Sequence, residues 1–332
     1  MVVLENCFVN NIDCQYNLEK LSINVDFNNT LHLITVISNP CKFNTRWKLA
    51  KEFINRIELN DNKNLKLYVV ELVYDELNDS EYQVTNKYNP NHLQLRTKHP
   101  LWHKENMINI CVNKLLPKDW KFMAWADADI EFENVHWVED TIKSLQNYDI
   151  VQLFSHAIDM DRNKNAMQIF QGAAFQFVNK MKRGNSINYW HPGYSWGYTR
   201  SAYDKMKGLF DKGILGAGDD HMMRTLIGET SWITSVHPDI GKDYRDCLEE
   251  FAYNCKGLRI GYVSGVIKHH FHGSKKNRRY RERWSILTKY NFSPKKHMNI
   301  CEESGLIIPS EDCPEDLLKD ILEYFKERNE DE

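Results

Sequence analysis

Residues Lys121–Asn134 read KFMAWADADIEFEN. The stretch opens on Phe122, Met123, Ala124 and Trp125, an apolar run of the kind a buried strand needs. It then delivers Asp127 and Asp129 with only Ala128 between them. In an extended chain residues i and i+2 point the same way, so the two carboxylates are expected on one face at a strand end. There they repel unless a cation lies beside them. A divalent metal is the usual remedy, and a metal can in turn hold a diphosphate. Asp-x-Asp alone is a weak signal among 46 acidic residues. Its weight comes from the strand in front of it and from three later stretches.

Upstream, Lys104–Leu116 reads as a helix, with Met107, Ile108, Cys111, Val112 and Leu115 clustered and Pro117 as its stop. His92–Arg96 reads as a short strand and Leu65–Tyr74 as a longer one. Asn44–Leu59 carries Trp47, Ala50, Phe53, Ile54 and Ile57 on one helical face. Leu31–Pro40, LHLITVISNP, is a β-rich run stopped by the turn signal Asn39-Pro40. Strand, helix, strand implies a parallel sheet with right-handed crossovers. Asp127 and Asp129 then lie at the carboxyl end of a parallel strand, the edge where open α/β sheets bind ligands.

Downstream, a helix near Val135–Leu145 precedes two strand-like runs, Asp149–Phe154 and Met167–Val178. A second pair, Asp159 and Asp161, lies between those runs. Arg162, Asn163, Lys164 and Asn165 follow it, and the pair reads as a solvated turn. Tyr189–Tyr198 is rich in aromatics. Gly216–His221, GAGDDH, opens a helical run, and Arg259–His272 is strand-like and ends in HHFHG. Ser274–Trp284 is basic, and Pro314–Arg328 is an amphipathic helix.

Composition sets bounds. The chain has 332 residues, 42% of them hydrophobic, enough for one large core or two intimate ones. A net charge of -3 gives no support to a nucleic-acid role. The 8 cysteines show no zinc-ribbon or thioredoxin spacing and are expected to be reduced. Glu5 and Asn6 stand where a signal peptide wants an apolar run, and no segment is long and apolar enough to span a membrane. The expectation is a soluble, intracellular protein, cytoplasmic in location.

Three constellations carry chemistry. His269, His270 and His272 crowd a strand end, and His270 and His272 would share a face. Two carboxylates with an imidazole make an oxygen–nitrogen set that suits Mn²⁺, with Mg²⁺ less comfortable beside nitrogen. Lys275, Lys276, Arg278 and Arg279 follow directly, and such side chains neutralise a diphosphate. Asp219 and Asp220 open a helix, either as plain caps or as a general base aimed at an acceptor hydroxyl. His191, Tyr194 and Trp196, in the aromatic run, are placed either to bind a sugar ring or to fill the core.

In this order the pieces resemble the GT-A class of glycosyltransferases, in closest detail the Golgi galactosyltransferase family. They also resemble virus- and phage-type glycosyltransferases carrying LWHKEN, DADIEFEN and HHFHGSKKN. Trp102, His103 and Lys104–Asn109 match the family's stretch before the Asp-x-Asp strand. Lys275, Lys276 and Asn277 match its closing loop. The resemblance implies a Rossmann-like α/β fold, a mixed but mostly parallel sheet with helices on both faces. It implies residues 31–290 as the catalytic domain, with a donor half 31–130 and an acceptor half 131–290. Residues 1–30 are then an N-terminal extension and 291–332 a helical tail packed on the domain. The implied reaction moves a hexose from a UDP-type donor to a glycan or other hydroxyl acceptor, with inversion. Asn39, Lys104, Asp127, Lys275, Lys276 and Arg279 would touch the donor nucleotide. Asp127 and Asp129, with His270 or His272, would hold Mn²⁺ or Mg²⁺. The family's late histidine matches His269 by one count and His272 by another, and its acidic pair matches Asp219 and Asp220 without saying which is the base. No counterpart of the family's membrane anchor is expected here. A metal-dependent phosphoesterase and a non-catalytic sugar-binding protein are the rival readings.

Overall fold

The apolar run after residue 30 becomes β1 (Leu31–Ser38), and the periodic segment after it becomes α1 (Asn44–Leu59). The computed structural model describes residues 29–75, 80–182, 184, 189–229, 231, 233 and 237–332; nearly all of the expected extension 1–30 lies outside them. There follow β2 (Leu65–Tyr74), β3 (His92–Thr97), α2 (Lys104–Lys114), β4 (Phe122–Ala126), β5 (Ile130–Phe132) and α3 (Trp137–Leu145). Next come β6 (Ile150–Gln152), β7 (His156–Met160), β8 (Ala166–Gly172), α4 (Ala173–Val178), β9 (Trp190–His191) and β10 (Ser195–Thr199). The chain continues through α5 (Arg200–Met206), α6 (Gly218–Leu226), α7 (Lys242–Cys255), β11 (Ile260–Tyr262) and β12 (Val266–His269). A 3₁₀ turn (Lys275–Arg278) leads to α8 (Trp284–Lys289), α9 (Pro294–His297), β13 (Met298–Ile300), β14 (Ile307–Pro309) and α10 (Glu315–Glu327).

Seven strands form the main sheet in the order β11-β6-β10-β4-β1-β2-β3. All pairings are parallel except those of β10, which runs antiparallel to β4 and β6. From β1 the chain builds outward through β2 and β3, then returns to lay β4 on the other side of β1. Strand order therefore reverses between β1 and β4, and the crevice at their carboxyl ends is the place for a ligand. Side chains alternate strictly. Leu31, Leu33 and Ile37 of β1 join α1 and α3 in one core, while Ile34 joins α2, α5, α6 and α7 in the other. Helices thus cover both faces, and the mostly parallel α/β sheet expected from the sequence is present.

A second sheet, β5-β12-β7-β8-β9, stands beside the carboxyl edge of the first. The chain passes from the first sheet to the second after β4, after β6 and after β11, and returns after β5 and after β9. Arg259–His272 is therefore two strands in two sheets, and one continuous strand is the wrong expectation. Met167–Val178 also divides, because Gln152 Oε1 accepts from the Ala174 N–H at 3.0 Å and starts α4 there. The tail beyond residue 290 is not helical throughout: β13 and β14 pair as a hairpin. The hairpin docks on α2, where Asn106 Nδ2 donates to the Gly305 carbonyl at 3.1 Å and Asn106 Oδ1 accepts from the Ile307 N–H at 3.0 Å. The six described cysteines form no disulfide. Among the described residues, no helix is long and apolar enough to cross a membrane.

Candidate metal centre

The strand β4 stops at Ala126, whose carbonyl accepts from the Thr35 hydroxyl of β1 at 3.0 Å. From there Asp127, Ala128 and Asp129 turn the chain into β5, in the second sheet. The turn is held at both ends. The Asp127 N–H donates to the Tyr194 carbonyl, and the Asp129 carbonyl accepts from the His270 N–H, each at 2.8 Å. Because this is a turn and not extended chain, the two carboxylates do not share one set of partners. Asp127 pairs with Lys104 at the start of α2. Asp129 faces the end of β12.

At that end Asp129, His269 and His272 bring one ligand atom each to within 4.8 Å of one another. Asp129 Oδ2 lies 3.0 Å from His272 Nε2, and Oδ1 lies 3.8 Å from His269 Nε2. The two Nε2 atoms are 3.2 Å apart. Both imidazoles are gripped from behind by carboxylates. His269 Nδ1 is 2.8 Å from Asp159 Oδ1, and His272 Nδ1 is 3.2 Å from Glu330 Oε2. A carboxylate only accepts, so each Nδ1 carries a proton. His272 Nε2 meets both a donor, Arg278 Nη2 at 2.8 Å, and an acceptor, Asp129 Oδ2 at 3.0 Å.

Burial would raise the Asp129 carboxyl, but His272, His269 and Arg278 hold it well below the usual carboxylate range. Asp129 Oδ1 is nonetheless buried without a hydrogen-bond partner. An anionic oxygen and two imidazole nitrogens converge on one point, where positive charge, from the rings, from Arg278 or from a bound cation, stabilises the carboxylate. The donor set is one oxygen and two nitrogens, so the residues fit a divalent ion of the Mn²⁺ kind.

Two expectations need correcting here. His270 was to share a face with His272, but β12 ends at His269 and the chain no longer alternates beyond it. His270 Nε2 instead lies 3.3 Å from Glu131, and His269 stands in the converging group. Asp127 is likewise outside that group. The second Asp-x-Asp pair also divides. Asp161 does cap an exposed turn, accepting from the N–H groups of Asn163 and Asn165. Asp159 is 3% exposed and accepts from Tyr194 Oη at 2.8 Å besides holding His269.

The acidic pair of α6 also splits. Asp220 is bound to Arg224 at 2.8 Å along the helix. Asp219 packs on the Pro192–Tyr194 bend, where its Oδ2 occupies the space a Cβ on Gly193 would need. Asp219 also faces Lys104. Burial lowers the pKa of that ammonium, but Asp127, Asp219 and Glu105 together raise it above its ordinary value. Asp219 therefore looks into the crevice and Asp220 along its own helix.

Of the aromatic residues, Trp196 and Tyr194 are 2% and 4% exposed and present no face to a sugar. Tyr194 stacks on His191 at 3.8 Å between ring centres, and burial drives that imidazole down to about 3, so it stays neutral. Tyr189 and Tyr280 are among the exposed rings, 46% and 49% accessible. Burial raises the Tyr189 hydroxyl, as do Asp220, Tyr280 and Asp219 nearby, which puts these groups around one surface.

The basic run is a short turn with partners. Lys275 pairs with Asp159, and Arg279 Nη1 lies 2.8 Å from Glu327 of α10. Lys276 is exposed. Asn39 closes the bend after β1, with its side chain bonded both ways to the Phe43 backbone at 2.8 and 2.9 Å. Beside it a cleft of about 200 Å³ opens at the carboxyl ends of β1 and β2, lined by Lys42, Trp47, Glu71, Tyr74 and Gln83 among others.

No protein-family model matches the chain, and no curated protein matches it. Solved structures do. A mannosyltransferase from Pyrobaculum calidifontis, in complex with GDP-Man and Mn²⁺, is 12% identical; the match covers 91% of this chain and 71% of that one at a TM-score of 0.42. A mutant of Drosophila beta1,4-galactosyltransferase 7, in complex with manganese, UDP-Gal and xylobiose, is 11% identical, covering 88% and 98% at 0.41. The 4-diphosphocytidyl-2C-methyl-D-erythritol synthase of Anaerococcus prevotii is 9% identical, covering 72% and 90% at 0.34. At these TM-scores and identities the similarities carry no functional argument, and the site's own geometry has to carry it.

Proposed function

We propose that the chain is a metal-dependent glycosyltransferase of the GT-A type, moving a hexose from a UDP-type donor to a hydroxyl acceptor. One observation carries the reading. Three Lewis bases, on Asp129, His269 and His272, converge at the carboxyl edge of the sheet beside its switch point, and a carboxylate fixes each imidazole from behind. In this reading those three residues hold the divalent cation. Bound there, the cation supplies positive charge against the nucleoside diphosphate as it leaves.

The chain's own groups do the rest. Lys104 neutralises Asp127 and brings an ammonium to the donor's side of the crevice. Lys275 and Lys276 stand on the turn after His272, where they can meet the diphosphate. The cleft beside Asn39 takes the nucleoside. Asp219, facing the crevice, takes the proton of the acceptor hydroxyl, while Asp220 is committed to Arg224. A base opposite the leaving group implies inversion. Tyr189 and Tyr280, not Tyr194 and Trp196, offer exposed rings on which an acceptor sugar can lie. Residues 31–130 then act as the donor half and 131–290 as the acceptor half.

A panel of nucleotide sugars with Mn²⁺ and hydroxyl acceptors tests the reading through the nucleoside diphosphate released. Turnover is expected, with Asp219→Asn slower by about a hundredfold or more, the size of a lost general base, and UDP binding retained. Asp220→Asn should change the rate far less. Release of inorganic phosphate instead would identify a phosphoesterase, and binding without turnover a sugar-binding protein; either would overturn the assignment.

A further inference from the structure

The segment after α10 runs beneath the candidate metal centre. Glu330 lies within it, 2% exposed. Arg46 of α1 grips its carboxylate with two nitrogens, Nη2 at 2.8 Å from Oε1. Arg328 Nη2 stands 2.8 Å from the same oxygen, and His272 Nδ1 lies 3.2 Å from Oε2. The neighbouring residues fasten this backbone in place. Asp331 accepts from the Asn44 and Thr45 N–H groups at the start of α1, at 2.9 and 2.7 Å. Glu332 Oε2 accepts from Asn277 Nδ2 at 3.2 Å.

We propose that Glu330 is a positioning residue of the metal centre: by accepting from His272 Nδ1 it fixes the tautomer and aim of the ring, so that Nε2 faces Asp129. This rests on the metal reading of Asp129, His269 and His272. The contact behind the ring supports it: Glu330 can only accept, so Nδ1 carries a proton. Nε2 then lies 3.0 Å from Asp129 Oδ2, with Arg278 Nη2 2.8 Å from Nε2 and 3.4 Å from Nδ1. The two arginines give the role its stiffness. Burial would push the Glu330 carboxyl up, but Arg328, Arg46 and His272 hold it well below its ordinary range, so it remains a charged acceptor. A carboxylate behind a ligating histidine also raises the basicity of the ligand nitrogen. Asp159 does the same for His269, which makes His269 an internal control.

The test combines a spectroscopic readout with metal binding. In ¹⁵N-histidine-labelled, metal-free wild type, at a pH where the ring is neutral, His272 should show a protonated Nδ1 and a bare Nε2. In Glu330→Gln the tautomer preference of His272 should weaken while that of His269 persists. Calorimetric Mn²⁺ affinity should fall about 10–100-fold, the range for lost partners behind a metal ligand. Should Glu330→Gln not fold, the wild-type tautomer alone decides. A wild type that binds Mn²⁺ but carries the His272 proton on Nε2, or a folded Glu330→Gln with unchanged Mn²⁺ affinity, would overturn the role of Glu330 and leave the metal reading standing. A wild type that binds no Mn²⁺ would overturn the metal reading, and Glu330's role with it.

Discussion

Burial pushes the Glu105 carboxyl up to about 7; Lys104 opposes the rise, and Asp219 and Asp127 add to it. The side chain is wedged between Trp102, whose Nε1 donates to it at 3.1 Å, and the start of α6, where a Cβ on Gly218 would lie 2.5 Å from its Cδ. Its folded pKa lies above its unfolded one. The stabilisation it contributes is therefore complete below the ordinary carboxylate range and lost as pH rises through about 7. A shift of this size corresponds to about 3 kcal/mol. Glu105→Gln keeps the acceptor for Trp102 and removes the charge. Its melting temperature should gain on the wild type steadily as pH rises from about 5 to about 8, with little further change above. Parallel melting curves across that range would show that Glu105 titrates normally. The start of α6, which completes its burial, is distant in sequence, so nothing in LWHKEN marks Glu105 as a buried acid.

At the scale of elements, the 3₁₀ turn Lys275–Arg278 and the segment after α10 hold each other. Tyr324 Oη donates to the Arg278 carbonyl at 3.0 Å, and Arg279 pairs with Glu327. Gly273 lets them approach. Its φ is +86°, and a Cβ there would lie 3.0 Å from the Asn329 carbonyl oxygen and from Glu330 Cα. Gly273→Ala strains the backbone and presses on another backbone that cannot rotate away. It should cost about 1–3 kcal/mol in urea unfolding and raise hydrogen exchange in residues 274–279 and 328–332 together. An unchanged midpoint with unchanged exchange would mean the two segments are not coupled. The elements themselves were largely legible. Periodicity gave α1 and β2 at their observed limits and α2 to within two residues, because long apolar patterns survive tertiary context. It failed where strands end. Residues i and i+2 share a face only while a strand continues, yet β4 stops at Ala126, before Asp127 and Asp129, and β12 at His269, before His270 and His272. Past those points side chains no longer alternate, so His269 entered the centre and His270 left it.

For the whole molecule, the sheet order explains why one crevice collects residues so far apart in sequence. The switch between β1 and β4 sets the place, and the passages from the first sheet to the second bring in Asp129, Asp159 and the end of β12. Chain order placed the Asp-x-Asp at the carboxyl edge of the sheet, where the structure has it, because βαβ connectivity and handedness leave little choice there. The support behind the histidines was not legible. Glu330 lies 58 residues from His272 and 284 from Arg46, and Asp159 shares its local sequence with a real surface turn at Asp161. Such partners are chosen by packing, which no local pattern records. The claim on which the rest depends is that Asp129, His269 and His272 bind a cation that in turn binds a nucleoside diphosphate. Calorimetric titration of UDP into the protein, with Mn²⁺ and with EDTA, tests it most directly. UDP should bind with Mn²⁺, and binding should be lost in EDTA and in Asp129→Asn, because without the cation an anion meets anions. Equal UDP affinity with Mn²⁺ and in EDTA, in wild type and variant alike, would contradict it.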